Sequence, residues 1–301
     1  MSEFIQQVIN GVSLGSIYAL IALGYTMVYG ILRFINFAHS DIFMVGAYAA
    51  YFAAPTILSL SGGNLLIAGI LAMLFAMLVC SSLGVTIEKL AYKPLRGRPT
   101  ITVLITAIGV SFFLEYGGQL VFGPDPKPFP ELIPNSKLID TGGVVVNSTP
   151  LIVVGTAIGL MLLLRWVVMS TRIGTAMRAL SFNLEAAKLM GININNVVSF
   201  TFILGSSLAA AAAVLYSSVY PSINPLMGVF PGLKAFIAAV VGGIGNLVGA
   251  ALGGLIIGVT ETFVTGYISS TYRDAIAFGI LIVILLIRPA GLLGKFESER
   301  V

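Results

Sequence analysis

The chain has 301 residues, 57% of them hydrophobic and 9% charged, with a formal net charge of +4. A soluble domain carries roughly a quarter charged residues because its own surface must face water; this composition excludes a soluble fold of that size and leaves lipid as the solvent for the excess apolar area. One cysteine and one histidine exclude an internal disulfide and a His/Cys zinc cluster, and no basic patch alternates with stacking aromatics, which excludes nucleic acid as a partner.

A membrane-crossing helix needs about 20 mainly apolar residues. By that rule the chain reads as all-α, a polytopic transmembrane helical bundle forming one domain over 1–301, with about eight or nine membrane segments. The opening MSEFIQQVIN lacks the basic stretch of a cleavable signal, so the first run, 8–30, reads as a retained span. Further spans are expected over 38–58, 64–88 (with Cys80 as a small core residue), 101–122, 151–169, 197–220 and 273–288. The run 229–267 is too long for one simple pass. Gly242, Gly243, Gly245 and Asn246 weaken a helix there. The run reads as two segments with a break near Gly245, or as a re-entrant half-helix followed by a full span.

Basic residues mark the cytoplasmic loops. Lys89, Lys93, Arg96 and Arg98 place 89–98 inside, and Arg165, Arg172, Arg178 and Lys188 place 165–196 inside. The Pro-rich stretch of about 123–149, with mixed charge, then faces outside. Arg288, Lys295 and Arg300 put the tail inside. Parity requires 229–267 to enter and return, and it leaves the N-terminus outside. Gly-punctuated apolar stretches near 30–46 and 242–258 mark a candidate internal repeat, since transporters often carry interrupted helices at corresponding positions. Pro221, Pro225 and Pro231 fall in a short outer connection.

Ionisable groups inside a span cost a few kcal/mol on insertion scales and usually face a cavity or a partner. Asn36, His39 and Asp41 sit at a broken region, where they either line a translocation path or serve as caps and interhelical bonds, Asp41 capping the next helix. Glu115 either pairs with another helix or lies near the outer rim. Glu261 reads as interfacial, and Lys234 as snorkelling from the outer end of its segment.

The loop of about 165–196 is too apolar in pattern to be disordered. Met177, Leu180, Leu184 and Ala187 recur at helical spacing. Asn183 can cap a short helix with Glu185 in its first turn, and Gly191 can end it. Such a helix lies on the bilayer or docks into a partner. No G-x-x-x-x-G-K-[ST] loop is present; Gly291-Leu292-Leu293-Gly294-Lys295 lacks the spacing and the hydroxyl. No paired constellation suits intramembrane proteolysis. A self-sufficient secondary transporter or channel would need coupling groups, for which Asp41, Glu115 and Glu261 are the acidic candidates.

Glu185-Ala186-Ala187 followed by Gly191 resembles the EAA loop of ABC importer permeases, although the Ile-x-Leu-Pro that ends the fuller pattern is replaced by Thr201-Phe202-Ile203-Leu204. The stretch Gly11 to Gly30, Ile35-Asn36-Phe37-Ala38-His39-Ser40-Asp41, Glu88-Lys89-Leu90-Ala91-Tyr92-Lys93-Pro94-Leu95-Arg96, Ala239 to Gly245, and Arg288-Pro289-Ala290-Gly291-Leu292-Leu293-Gly294 resemble branched-chain amino-acid ABC permeases of the LivH type. The resemblance spans nearly the whole chain apart from 123–149. It departs at Ser40, where the family usually has Gly and a different backbone is expected. The resemblance implies a permease subunit in a bacterial inner membrane, in contact with lipid. Its expected partners are a homologous second permease, two cytoplasmic ATPases and a periplasmic amino-acid-binding protein. It implies transport of leucine, isoleucine, valine or a related amino acid or amide, urea included, by alternating access. ATP hydrolysis is expected in the partners, so the chain itself is no enzyme and binds no cofactor or metal. The residues implied in ATPase coupling are Arg178, Asn183, Glu185, Ala186, Ala187 and Gly191.

Overall fold

The computed structural model describes residues 2–141 and 144–294. Lys295 and Arg300, used above to place the tail, lie outside the described residues. Eight helices among the described residues are long and apolar enough to cross a membrane. In chain order the helices are α1 (Ser2–Leu32), α2 (His39–Leu60), α3 (Leu65–Ile87), α4 (Thr100–Phe122), α5 (Ser148–Ser170), α6 (Arg172–Phe182), α7 (Leu184–Leu189), α8 (Ile194–Val219), α9 (Val229–Gly242), α10 (Leu247–Tyr267) and α11 (Arg273–Ile287). Each expected span has its helix. The stretch read as the loop 89–98 begins as helix instead: a π turn over Glu88–Tyr92 and a 3₁₀ turn over Lys93–Leu95 prolong α3. The π turn carries Glu88 and Tyr92 inward together, and both are buried. The little strand present joins β1 (Lys127–Pro128) to β4 (Ser222–Ile223) and β2 (Lys137–Thr141) to β3 (Val144–Asn147), both antiparallel.

α1 has no marked polar face along its membrane-crossing stretch, and that stretch is almost wholly enclosed by the other helices. Its neighbour α10 approaches through small residues. Gly11 faces Thr262, Gly15 faces Leu255 and Gly258, and Ala19 faces Gly254. A Cβ at Gly15 would lie 2.8 Å from the Leu255 Cα. In lipid there is no hydrophobic force between helices, so this close backbone contact is what holds them.

The run 229–267 resolves into α9 and α10. α9 has 14 residues, about 21 Å of helix, which is short of the roughly 30 Å hydrocarbon layer. It is a half-length helix, followed by the full-length α10. Pro231 lies in the first turn of α9, where a missing N–H costs nothing, rather than in the preceding connection.

The packing repeats itself. α1 lies on α10 as α8 lies on α3; α1 meets α9 as α8 meets α2; α2 pairs with α3 as α9 pairs with α10; and α4 touches α2 as α11 touches α9. α1 and α10 run antiparallel, with Gly11 beside Thr262 and Ala19 beside Gly254; so do α3 and α8, with Glu88 beside Ser199 and Gly84 beside Ser206. α1–α4 and α8–α11 are therefore two inverted copies of one arrangement. The corresponding interruptions are 33–38, before α2, and 220–228, before α9. This corrects the pairing of 30–46 with 242–258, which matched glycine content rather than position in the packing.

Candidate functional site

The basic loop after α5 folds as two helices. Thr171 caps α6 by accepting from the Gly174 N–H at 3.1 Å, and Asn183 caps α7 by accepting from the Ala186 N–H at 2.9 Å. Asn183 also ends α6, in extended backbone, so the expected single stripe is broken in two. Met177, Leu180 and Ala187 are buried as expected, while Leu184 is exposed. Gly191 has φ +82°, and the Ile192 and Gly191 N–H groups donate to the Ala187 and Lys188 carbonyls. That is the Schellman arrangement, and it stops α7 after six residues. Arg178 points back to α5, where its Nη1 donates to the Met169 carbonyl at 3.1 Å. Glu185 and Ala186 lie on the open side. Beside them Phe182, Leu189 and Met190 are each more than 80% exposed.

The expected helix break is formed by Gly243 (φ +104°), Gly245 (φ +91°) and Asn246, whose side chain caps α10 by accepting from Val248 and Gly249 N–H groups. The Asn246 Nδ2 donates to the Leu293 carbonyl at 2.9 Å. Leu292 and Leu293 N–H groups donate to the Val241 and Gly242 carbonyls. The Arg288–Gly294 stretch thus straps the break shut. A Cβ at Gly243 would lie 2.5 Å from the Gly294 N, and one at Gly291 2.5 Å from the Gly243 N, so both stretches need glycine.

Asn36, His39 and Asp41 gather at the start of α2, deep in the bundle, and all three are buried. Tyr92 donates to the Asn36 Oδ1 at 2.6 Å. His39 packs on Gly24 of α1 and edge-on to the Tyr25 ring. Asp41 is not the cap of α2. The helix begins two residues earlier, after Ala38, and Asp41 instead accepts from the Ser111 Oγ of α4 at 2.5 Å. Glu115, one turn beyond Ser111 on the same helix, is close enough to Asp41 to interact with it electrostatically. Ser40 is ordinary helix, with its Oγ bonded to the Phe37 carbonyl; the room comes from its neighbours Gly228 and Gly232, which touch Ser40. The N-termini of α2 and α9, one from each inverted copy, thus meet inside the bundle.

The chain matches, over residues 7–285, the family described as branched-chain amino acid transport system / permease component. The chain belongs to that family. The high-affinity branched-chain amino acid transport system permease protein BraD of Pseudomonas aeruginosa is 41% identical over 99% of this chain and 98% of its own. The high-affinity permease protein LivH of Escherichia coli K12 is 40% identical with the same coverage. The probable branched-chain amino acid transport permease protein LivH of Methanocaldococcus jannaschii is 32% identical over 93% of this chain and 89% of its own. The chain is a multi-pass membrane permease.

Two polar clusters of this permease escaped sequence reasoning. Lys234 does not snorkel and Glu261 is not interfacial: both are buried. Lys234 Nζ lies 2.8 Å from Glu261 Oε1 and 2.7 Å from Asp274 Oδ1, Arg273 Nε lies 3.3 Å from Glu261, and Tyr18 donates to Glu261 Oε2 at 2.9 Å. The cluster ties together α1, α9, α10 and α11. Glu88, fully buried, pairs with Arg96 and accepts from Ser199 at 2.7 Å, while Arg96 donates to Asn195 at 2.6 Å. Burial lowers the Arg96 pKa from its usual value, and the Glu88 carboxylate opposes that. A lone lysine in an apolar run was the available signal for the first cluster; its partner lay 27 residues away. The pentapeptide Gly11-Val12-Ser13-Leu14-Gly15 has the G-x-S-x-G spacing of a nucleophile elbow, but it lies within α1 rather than on a strand-to-helix turn. None of Asn36, His39, Asp41 and Glu115 lines the permease's cavity of about 640 Å³; Tyr92, bonded to Asn36, does.

Proposed function

We propose that this chain is the transmembrane subunit of an ABC importer in a bacterial inner membrane, moving leucine, isoleucine, valine or a related amino acid by alternating access. Partner ATPases drive the cycle, and a homologous second permease and a periplasmic binding protein complete the machine. The chain binds no cofactor and hydrolyses no ATP itself. The observation that carries the reading is α7. A six-residue helix, capped at both ends and held outside the bundle, shows Glu185 beside nearly bare Leu189 and Met190. Apolar side chains so displayed at a basic loop mark a surface waiting for a protein partner. The Lys and Arg bias puts that loop in the cytoplasm, where an ATPase would push. The names of the relatives support the substrate class. The inverted repeat, with two interrupted helices whose N-termini meet inside, supports alternating access about that place, with Asn36, His39, Asp41 and Glu115 beside the path.

The test is copurification and uptake. The chain should copurify with an ATPase, and Glu185→Arg should abolish both that association and leucine uptake while the chain still inserts. Uptake driven by an ion gradient in proteoliposomes holding this chain alone would overturn the reading.

A further inference from the structure

Between α7 and the turn leading into α4 lies the cavity of about 640 Å³. Arg96, Arg98, Lys188, Asn193 and Asn195 stand on its polar side, and Leu32, Tyr92 and Val103 on its apolar side. No Asp or Glu lines it; the nearby Glu88 is committed to Arg96 and Ser199. Thr100 and Ile194, the first residues of α4 and α8, also line it. Two long helices thus turn their positive ends toward the same space, and α4 has no side-chain cap at its N-terminus. A topological bias toward basic loops explains cations at this end of the bundle. It does not explain why Arg98 and Lys188, beside an Arg96 already paired with Glu88, gather with two helix N-termini around one half-enclosed space.

We propose that this cavity holds the phosphate headgroup of an anionic phospholipid from the cytoplasmic leaflet, resting on the reading above only for which end is cytoplasmic. A zwitterionic amino acid does not fit, because the wall offers its ammonium no carboxylate, while Arg98 and Lys188 repel it. A phosphate meets the Arg98 and Lys188 cations there and no carboxylate in the lining. The acyl chains leave over Ile101 and Ile105, one turn apart on α4 and each at least 60% exposed. α7 turns Leu184 and Lys188 to the cavity and Glu185, Leu189 and Met190 away from it. The lipid therefore sits behind the helix that faces the ATPase and braces it from the membrane side.

The full chain, reconstituted in phosphatidylcholine bilayers with trace spin-labelled lipids, tests this. It should hold phosphatidylglycerol about fivefold more strongly than phosphatidylcholine. The double substitution Arg98→Gln, Lys188→Gln should bring the two near parity, and the charge-keeping pair Arg98→Lys, Lys188→Arg should retain the preference. Arg165→Gln, Arg172→Gln, the same charge change outside the cavity, should also retain it. No preference in the unaltered chain, or equal loss in the outside pair, overturns the proposal. Displacement of the lipid by millimolar inorganic phosphate at constant ionic strength would assign the cavity to a soluble anion, and displacement by added ATPase subunits would assign it to the partner; either result overturns the lipid assignment. Because lipid binding is read without transport, failure here leaves the importer reading untouched.

Discussion

Lys234 and Glu261 illustrate how a charged residue is tolerated at depth in this bundle. Each is buried and each finds its counter-charge on another helix. Glu261 keeps Arg273 and Tyr18, but removing Lys234 leaves the buried group with one excess negative charge, so Lys234→Met should destabilise the permease by about 3 kcal/mol. Glu261→Gln should cost a similar amount, and the double variant should cost less than the two together by about 1–3 kcal/mol. Unfolding in mixed detergent micelles, followed by helicity, measures all three. Simple additivity would show that the pair does not interact. Sequence reasoning took each residue on its own helix, where snorkelling is the cheapest solution for a lysine. The contact that changes the answer exists only once α9 folds back against α10.

At the scale of elements, α7 depends on its ends. A helix of six residues cannot stabilise itself, because nucleation is unfavourable and few bonds follow it. Loss of the cap in Asn183→Ala costs about 1 kcal/mol, enough to melt α7 without touching the membrane helices. The expected outcome is weakened ATPase association with an unchanged thermal unfolding midpoint, and recovery in Asn183→Asp. A fall in the midpoint equal to that of Lys234→Met would contradict a local role. This element was legible from residue types, since Asn183, Glu185 and Gly191 signal their positions by backbone chemistry that acts over a few residues. The helix break at Gly243–Asn246 was legible for the same reason. The break in the apolar stripe at Asn183 was not: periodicity runs on through a cap that ends one helix and starts the next. The inward turn of Glu88 and Tyr92 was also hidden, because a π turn inserts one residue without any compositional mark.

For the whole molecule, hydropathy and loop charge indicated the spans, since lipid demands about 20 apolar residues wherever the chain crosses. The repeat was only half visible, because inverted copies share a packing pattern rather than a sequence period. The half-length α9 decides on which side of the membrane the ends of α10 and α11 lie, and this can be tested from outside. Thr271→Cys, between α10 and α11, should react with a membrane-impermeant maleimide in intact spheroplasts, and Val248→Cys, at the other end of α10, only after lysis. Cys80 is fully buried and provides a silent background. Labelling of both from the same side would rule out α10 as a full span. The cluster that anchors α9 has a last consequence, in terms of voltage. A membrane potential does work of about 2.3 kcal/mol on each elementary charge moved through 100 mV. Lys234 and Arg273 are balanced by Glu261 and Asp274, so the group carries no formal net charge. If it moves as a body, the field neither helps nor hinders it, and the work of moving α9 has to come from somewhere other than the membrane's own electrical gradient.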